Sequence, residues 1–448
     1  MILVWIALWL LGAASACSPV PTATLSPLPV LPTLTPLPST RPPEVLDPTQ
    51  SEIHIWHSLT GRREATLRTL AAAFAADNPH HIRVRVEYHS PLRQEVLTAI
   101  AAATPPDIVI TPCDQLAGYA TTGAVVPLTA YLDNEKYGLS LTQQSELWPV
   151  AIDGCRDEQS GEPLGLFFDV QANLMFYNAT WLKKLKTDAP PQTWDEFRSL
   201  CNAARDKKTA TWGFAFDGDG LTVVNSIAGL GGTLLNTRTG QFTLSSPQAI
   251  GALSVLSDLH KDGCSSCAYE PGVDRVEFGA EKLLLTFSSS AELANYSEAV
   301  FNTKTKKPRF AWGVAPMPHL ASDPVVMVQG LTMGILRTSP NQQLAAWLFV
   351  EWFSEPQNDL RWSLETGALP LHRGAAEAPE MASYVEQNPQ FKTASQMLVY
   401  ARTEPAIKRW PDVRELLSLA AKAVCLGEAQ PNDALLAANT AAEAILAR

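Results

Sequence analysis

Basic residues are scarce in this sequence, and no long apolar run interrupts it. The 448 residues include 34 Lys and Arg against 45 Asp and Glu, which gives a net charge of −11 and a pI near 5.3. This balance argues against binding of nucleic acid or of an anionic membrane through a basic surface. The apolar fraction of 46% is that of a globular protein, and the length is enough for two or three domains.

Motifs that carry covalent chemistry are also missing. There is no Gly-x-Ser-x-Gly nucleophile elbow, no His-Glu-x-x-His zinc motif and no glycine-rich phosphate loop. His54 and His57 stand three apart on a predicted strand and so point to opposite faces, which argues against a zinc pair. The run 217–220 (Asp-Gly-Asp-Gly) lacks the ligand spacing of an EF-hand calcium loop. These absences predict a protein that is not an enzyme and has no cofactor or metal.

The first apolar segment, Ile2–Leu11, is well short of the ~20 residues that cross a bilayer and has the length of a signal-peptide core. Small residues follow it, and the stretch 14–17 (Ala-Ser-Ala-Cys) resembles a bacterial lipobox, in which the cysteine receives the lipid. We therefore predict a signal peptide over 1–16 and a lipidated Cys17. The alternative is an ordinary cleaved signal with an incidental cysteine.

A proline-rich segment comes next. Residues 18–50 contain 10 prolines and 6 threonines and almost no charge. Such a segment does not bury a core, and its prolines favour extended polyproline conformations of ~3.1 Å per residue, or up to about 100 Å in all. We therefore predict that residues 17–50 form a lipid-anchored tether, which holds a folded body at the extracytoplasmic face of the cell membrane.

Six further cysteines lie in the body. An even number in an oxidising exterior suggests disulfides, with about 15 possible pairings. The sequence does not choose among them, although we favour Cys113 with Cys155. The pair in Cys264-Ser-Ser-Cys267 has the spacing of a redox motif, but it follows a predicted helix instead of beginning one, which favours a structural role. The six are Cys113, Cys155, Cys201, Cys264, Cys267 and Cys425.

From about Glu52, strand-like and helical patterns alternate. "EIHIWH", "IRVRVEY" and "DIVIT" are predicted strands, and amphipathic helices lie between them. "PLGLFF" and "NLMFY" are two further strands, and Thr193 with Glu196 forms a capping box that opens a helix. "VVMVQGLTMGIL" is predicted as a hairpin or a crossing strand, and the chain is largely helical from Pro340 onward. The alternation indicates βαβ units and a mostly parallel sheet.

Several stretches resemble, in order, a known family. Residues 53–88 carry a strand, a Trp-His turn and a helix that ends in Asn-Pro, and 105–132 carry a Pro-Asp strand followed by Gly-x-Val-x-Pro-Leu. Residues 162–201 and 338–374, the latter with Thr-Gly-x-Leu-Pro, complete the pattern. The chain resembles the extracellular solute-binding proteins of ABC importers, family 1, whose best-known members bind sugars. The extra cysteines are not typical of that family.

This resemblance implies a periplasmic-binding-protein-like α/β fold. Two α/β lobes with mostly parallel sheets are joined by a hinge that the chain crosses more than once, and the ligand sits between them. We expect residues 51–162 plus about 310–340 in lobe one, and 163–309 plus about 341–448 in lobe two.

Candidate ligand-binding residues are polar or aromatic and lie near predicted strand ends, because pockets in open α/β sheets lie beyond the carboxyl ends of the strands. Helix capping is the alternative role for His57, Asp114 and Ser289, and a simple turn is the alternative for Asp217. Phe168 is a candidate for stacking on a sugar, and Trp362 lies where family members contribute an aromatic platform. The candidates are His57, Ser58, Asp114, Phe168, Asp169, Gln171, Asn173, Asp217, Ser289, Gln329, Gly330 and Trp362.

The expected function is that of a monomeric, lipid-anchored receptor that captures a sugar or oligosaccharide and delivers it to ABC permease subunits. A polyamine, glycerol phosphate or a small organic anion remains an alternative ligand. A secreted glycoside hydrolase with paired carboxylates and a surface adhesin are further alternatives that no residue spacing favours.

Overall fold

The computed structural model of this chain describes residues 46–267 and 272–446. The expected signal peptide over 1–16, Cys17 and the tether as far as residue 45 lie outside that range. Within the range, no helix has the length and apolar character that crossing a membrane requires. The chain from Leu46 onward clusters as one compact unit.

The fold is mixed α/β, as predicted. Its strands are β1 (Glu52–His57), β2 (Arg83–Tyr88), β3 (Ile108–Thr111), β4 (Gly165–Asn178), β5 (Trp212–Phe216), β6 (Leu235–Asn236), β7 (Gln241–Phe242), β8 (Ser265–Cys267), β9 (Leu283–Ser289), β10 (Phe301–Asn302), β11 (Lys307–Pro308), β12 (Trp312–Ala315), β13 (Val326–Ile335) and β14 (Ala401–Thr403).

The helices surround these strands. They are α1 (Gly61–Ala76), α2 (Leu92–Ala101), α3 (Cys113–Ala120), α4 (Thr129–Leu132), α5 (Leu141–Glu146), α6 (Pro149–Asp153), α7 (Ala179–Lys184), α8 (Trp194–Ala204), α9 (Gly220–Gly229), α10 (Pro247–Asp262), α11 (Val273–Gly279), α12 (Leu293–Val300), α13 (Pro340–Phe353), α14 (Pro356–Thr366), α15 (Arg373–Glu377), α16 (Pro379–Gln387), α17 (Pro389–Gln396), α18 (Trp410–Cys425) and α19 (Pro431–Leu446).

Local sequence signals set several of these boundaries. The predicted capping box opens α8, since the Thr193 side chain accepts from the Glu196 amide and the Glu196 side chain accepts from the Thr193 amide. Such reciprocal bonds satisfy two amides that the helix start would otherwise leave without partners. Helix α10 begins with Pro247 in its first turn and ends at Gly263, whose φ of 65° is a left-handed conformation that glycine adopts without strain.

One ten-stranded sheet runs through the body in the order β2-β1-β3-β13-β4-β9-β5-β8, with β12 added on β4 and β14 on β13. Strand β4 pairs with β13 as far as Ala172 and with β9 from Asn173 onward. It is a single long strand where the sequence predicts two. Strand β13 pairs with β3, β4 and β14, so the stretch predicted as a hairpin or a crossing strand is a crossing strand.

Two hydrophobic cores flank the crossing strands. The first contains β1, β3, α1 and α13, and Phe74 packs edge-on against Phe349 with ring centroids 5.2 Å apart. The second contains apolar residues of α8, α9, α10, α18 and α19. The sequence assigns 341–448 to lobe two, and the apolar residues of this segment divide between the two cores. Helix α13 and its neighbours as far as Ala406 bury their apolar residues in the first core, and only 410–446 does so in the second.

Three disulfides join the six cysteines of the body. Cys113 pairs with Cys155, the pairing that the sequence analysis favours, and links the first turn of α3 to the loop that follows α6. The other two lie at the second core and connect Cys201 with Cys264 and Cys267 with Cys425. The two cysteines of the Cys-x-x-Cys stretch thus belong to different bonds.

Candidate ligand-binding cleft

Two adjacent cavities open beside the crossing strands. Their volumes are about 410 Å³ and about 690 Å³, and Pro411 and Arg414 line both. The first is lined by Leu59, Arg63, Pro112, Cys113, Asp114, Gln115, Phe167, Asp169, Gln171, Val328, Gln329, Gly330, Leu331, Thr403, Glu404, Pro405, Trp410, Pro411 and Arg414. The second is lined by Asp217, Gly218, Asp219, Gly220, Gly272, Asp274, Arg275, Ser288, Glu292, Tyr296, Pro411, Arg414, Glu415, Ser418 and Lys422.

Both cavities lie at strand ends. Pro112 directly follows β3 and Glu404 directly follows β14, and both residues line the first cavity. Asp217 directly follows β5 and lines the second cavity. Strand β3 is antiparallel to β13, whereas β14 is parallel to it, so the carboxyl ends of β3 and β14 approach each other along β13 from opposite directions. Pockets of open α/β sheets lie beyond the carboxyl ends of the strands. The position of the cleft therefore follows from the topology.

Alternation along β4 selects which of its side chains reach the first cavity. Successive side chains of a strand point to opposite faces. Phe167, Asp169 and Gln171 line the cavity, whereas Phe168 faces the core and packs edge-on against Trp362, with ring centroids 5.0 Å apart. Trp362 is fully buried. The two aromatic residues expected to stack on a sugar are therefore part of the first core.

Asp169 is the most deeply buried charge in the first cavity, with 2% of its side chain exposed. Arg63 Nε donates to Asp169 Oδ2 at 2.8 Å, and the Gln171 side chain donates to Oδ1. Burial raises the pKa of Asp169, while the Arg63 guanidinium acts to lower it. The partners therefore hold this carboxyl in place without a ligand.

A second ion pair stands where the two cavities meet. Arg414 Nη1 donates to Glu404 Oε2 at 2.7 Å. Burial raises the pKa of Glu404, and Arg414 opposes that effect. Burial likewise raises the pKa of the neighbouring Asp114, and the positive charge of Arg414 offsets part of that rise. One arginine thus serves two carboxyls at this junction.

The second cavity is markedly acidic. Burial, with the nearby charge of Asp219, raises the pKa of Asp217 to about 7. The Asp219 side chain accepts from the Leu221 amide and caps α9. The Tyr296 hydroxyl, which also lines this cavity, donates to Asp274.

The charge of the whole cleft is negative. Its walls carry eight acidic residues against the four basic residues Arg63, Arg275, Arg414 and Lys422. Arg275 donates to Glu292 at 2.6 Å, so that Arg63, Arg275 and Arg414 each hold a carboxylate of the cleft itself. Within 46–267 and 272–446, no group of His, Cys, Asp and Glu side chains is arranged to hold a metal ion.

Half of the predicted binding residues line the cleft, namely Asp114, Asp169, Gln171, Asp217, Gln329 and Gly330. His57 is fully buried, and its Nδ1 accepts from the Leu59 amide at 3.1 Å, which agrees with its alternative structural role. Ser289 likewise caps a short 3-10 helix by accepting from the Ala291 amide. Asn173 is buried against Thr222, and Ser58 lines neither cavity.

The cleft residues that the sequence does not single out include Arg63, Glu404, Trp410 and Arg414. Arg63 lies in the first turn of α1 and the other three lie around the start of α18. The only signal at α18 is Pro411, which often occupies the first turn of a helix. It marks a helix start but gives no reason to place that start beside β4.

Comparisons with known proteins agree with this architecture. The pattern of the bacterial extracellular solute-binding protein family matches residues 69–393. The sn-glycerol-3-phosphate-binding periplasmic protein UgpB of Escherichia coli K12 is 22% identical over 403 residues, which cover 86% of this chain and 90% of that protein.

Two solved structures share the fold. The cyclic alpha-maltosyl-1,6-maltose binding protein from Arthrobacter globiformis has a TM-score of 0.74 at 22% identity, covering 88% of this chain and 98% of its own. The sugar-binding protein MalE from Xanthomonas citri has a TM-score of 0.76 at 19% identity, covering 89% and 98%.

Proposed function

This chain belongs to the bacterial extracellular solute-binding protein family, and we propose that it captures a neutral carbohydrate or polyol in the cleft and delivers it to the permease of an ABC importer. On this view the protein binds and releases its ligand unchanged. The family and its named relatives are binding proteins, which supports that role.

The charge arrangement of the cleft carries the choice of a neutral ligand. Arg63 and Arg414 are the two bases of the first cavity, and each already holds a buried carboxylate. A phosphate would have to compete with those carboxylates and would meet an excess of negative charge. A hydroxyl group both donates and accepts, so acidic side chains and amide groups such as Gln171 and Gln329 suit it.

We further propose that the body consists of two lobes that close on the ligand. Strands β4 and β13 pair with each other and connect the two lobes. Strand β13 also pairs with β3, and β4 also pairs with β9. We place the lobe limits at 51–172 with about 326–406 on one side, and about 182–317 with 410–446 on the other; the first core extends into the second lobe at Phe278, Leu293 and Tyr296. The proposed site residues are the six predicted residues that line the cavities, together with Arg63, Glu404, Trp410 and Arg414.

Location and anchoring belong to the same proposal. The lipobox-like stretch before Cys17 and the ten prolines of 18–50 support a lipid anchor and a tether at the extracytoplasmic face. Such an anchor keeps a monomeric receptor near the permease. Globomycin inhibition of signal cleavage, or mass spectrometry of the mature N-terminus, tests this part alone, and an unmodified Cys17 in the mature protein contradicts it.

Glycerol phosphate is the second candidate ligand. The curated relative named for sn-glycerol-3-phosphate favours it, as do the two arginines of the first cavity. Binding of this ligand requires its phosphate group to displace the carboxylate of Asp169 from Arg63 or that of Glu404 from Arg414.

A thermal-shift screen of the purified protein separates the candidates. The probes are maltotriose, ribitol, sn-glycerol-3-phosphate and putrescine. A ligand present at about 100 times its dissociation constant adds about 2.7 kcal/mol of stability. We expect a shift with a neutral sugar or polyol and none with the phosphate ester. A shift confined to sn-glycerol-3-phosphate contradicts the proposal.

A further inference from the structure

Four short segments of the chain hold eleven of its 34 Lys and Arg but only three acidic residues. The nine lysines among them are all exposed. The net charge of −11, which by itself argues against a basic surface, therefore conceals a strongly positive patch. We call this patch the basic edge, and its segments are 183–188, 205–211, 281–282 and 301–309.

The topology brings these segments to one edge of the sheet. Residues 205–211 directly precede β5, and residues 281–282 directly precede β9, which runs parallel to β5. Strand β4 is antiparallel to β9, so its last residue, Asn178, reaches the same edge, and 183–188 follow from there through α7. The hairpin of β10 and β11 leads into β12, which begins opposite Asn178.

Contacts between the segments agree with this placement. The carbonyl of Lys282 accepts from the amide that begins β5, at 2.8 Å. Lys184 and Arg205 line one cavity of about 370 Å³. Arg309 Nη1 donates to the Gly279 carbonyl at 2.7 Å, which joins the hairpin to the turn before β9. The basic edge is therefore one continuous surface.

The charge of this surface is not neutralised from within. None of its nine lysines forms an ion pair with a carboxylate of residues 46–267 or 272–446, in contrast to Lys261, which lies 3.9 Å from Asp258. The nearby Asp262 is already held by Arg198 at 2.6 Å. Crowded like charges repel one another, so the basic edge favours an anionic surface that approaches it.

The hairpin of the basic edge favours a bilayer over a soluble polyanion. Phe301 begins β10 and is 38% exposed, and Lys304, Lys306 and Lys307 follow it on the same hairpin. An aromatic side chain beside lysines is typical of segments that lie at a membrane interface. Most of the charge comes from lysine, which attracts headgroups without the fixed two-point geometry by which arginine binds one phosphate.

We infer that the basic edge docks on an anionic phospholipid bilayer. The inference goes beyond the proposed function and takes from it only the location beside a membrane. Asp217 and Ser288, near the opposite ends of β5 and β9, line the second cavity. The seven residues of β9 span about 20 Å, so docking leaves the cleft end of these strands turned away from the lipid and open to solute.

Flotation of the full chain with lipid vesicles tests this inference. Cys17→Ser removes the proposed lipidation site, so that binding reports the protein surface. The vesicles consist either of phosphatidylcholine or of an equal mixture of phosphatidylcholine and phosphatidylglycerol. Soluble polyphosphate serves as the alternative anion.

Two matched variants locate the surface. The hairpin variant combines Lys304→Gln, Lys306→Gln and Lys307→Gln. The control variant removes the same charge at exposed positions outside the basic edge, and urea unfolding monitors the folding of both. It combines Arg83→Gln, Lys136→Gln and Lys408→Gln.

The protein is expected to float with the anionic vesicles and not with the neutral ones. In 1 M salt the Debye length falls to about 3 Å, and binding is expected to be lost. Each lysine near the headgroups contributes about 5-fold, so the hairpin variant is expected to bind about 100-fold more weakly, and the control variant within about 2-fold of the parent. Phe301→Ala is expected to weaken binding to vesicles and to leave binding to polyphosphate unchanged.

Three results overturn the inference. They are absence of binding to anionic vesicles, equal binding to both kinds of vesicle, and equal binding by the hairpin variant and the parent. Polyphosphate bound as tightly as vesicles, with no effect of Phe301→Ala, assigns the basic edge to a soluble polyanion and overturns the inference as well. Flotation needs no solute, so failure of this inference and failure of the proposed function are separate results.

Discussion

Arg63 and Asp169 stand 106 residues apart in the sequence and form an ion pair of 2.8 Å in the wall of the cleft. Arg63 comes from the first turn of α1, and Asp169 from the middle of the crossing strand β4. The pair connects a helix of the first core to the strand that leads into the second. It also neutralises an arginine that would otherwise attract an anionic ligand.

Replacing Arg63 by Met is expected to lower the free energy of unfolding by about 2 kcal/mol, because the nearly buried Asp169 carboxylate loses a charged partner. Urea unfolding measures the change. Arg361→Met is the control, since Arg361 and Glu365 form an exposed pair on α14 whose loss is expected to cost less than about 0.5 kcal/mol. Equal effects of the two substitutions contradict the structural role of Arg63.

Gly330 permits the close contact between β13 and β4. A Cβ atom at this position would lie 1.8 Å from the carbonyl oxygen of Asp169. Gly330→Ala is therefore expected to destabilise the protein by about 1–3 kcal/mol and to weaken ligand binding, because the strands that line the cavity must shift. Gly118→Ala is the control, since its Cβ would meet only Lys408 at 3.9 Å. Ligand binding by Gly330→Ala at parental affinity argues against this account of the crossing strands.

The Cys113–Cys155 bond holds the helix that carries Asp114 beside the cavity. The paired Cys→Ser substitutions at this bond and at Cys201–Cys264 are each expected to lower stability by about 4 kcal/mol, since the two loops are of similar length. Only the first pair is expected to weaken ligand affinity, because neither Cys201 nor Cys264 lines the cleft. Urea unfolding and calorimetry check the two effects separately. Equal losses of affinity contradict a positioning role for Cys113–Cys155.

Two buried carboxyls, Asp359 and Glu351, are expected to contribute stability that falls as the pH rises from about 5 to about 7, while His57 and His372, whose pKa values burial lowers, contribute in the opposite direction. Burial raises the pKa of Asp359 from 3.8 to about 7, so the folded state holds a proton that the unfolded state has already lost. The pKa of Glu351 is likewise raised by burial to about 7. The Arg198 partner lowers the pKa of Asp262 to about 2. The stability that this carboxylate contributes is already complete at pH values below this window, so it does not change between about pH 5 and 7.

The substitution Asp359→Asn isolates one part of this dependence. Asp359 accepts from the His372 amide at 2.9 Å, and an amide oxygen keeps that bond without titrating. Urea unfolding at a series of pH values is expected to give a shallower slope for the variant than for the parent. Parallel slopes contradict the assignment to Asp359.

Local sequence patterns were enough for the general architecture. The alternation of "IRVRVEY", the capping box at Thr193 and the turn residues at Asn78-Pro79 each depend on neighbouring residues, and the elements they predict are present. Strand β4 was predicted as two pieces because Asp169, Gln171 and Asn173 interrupt its apolar run. Those polar residues lie in a strand that borders the cleft, where polar side chains find partners that the sequence does not reveal.

The rest of the candidate site depends on contacts between distant segments. Strand β14 has only three residues, too few for a periodic pattern, and yet it places Glu404 in the cavity. Phe168 is a candidate for the ligand site because it lies near a predicted strand end and can stack on a sugar, and Trp362 because members of the resembled family contribute an aromatic platform there. Their mutual packing against Phe353 depends on α13 and α14 covering the first core, which no local signal predicts.

Hydrogen–deuterium exchange of the purified protein, with and without a neutral sugar or polyol that stabilises it, tests the central claim most directly. Ligand binding in the cleft predicts slower exchange of backbone amides at 113–116, 328–331, 404–414 and 217–221, which come from both sides of the two cavities. Slower exchange confined to other parts of the body, with these four segments unchanged, would contradict the claim.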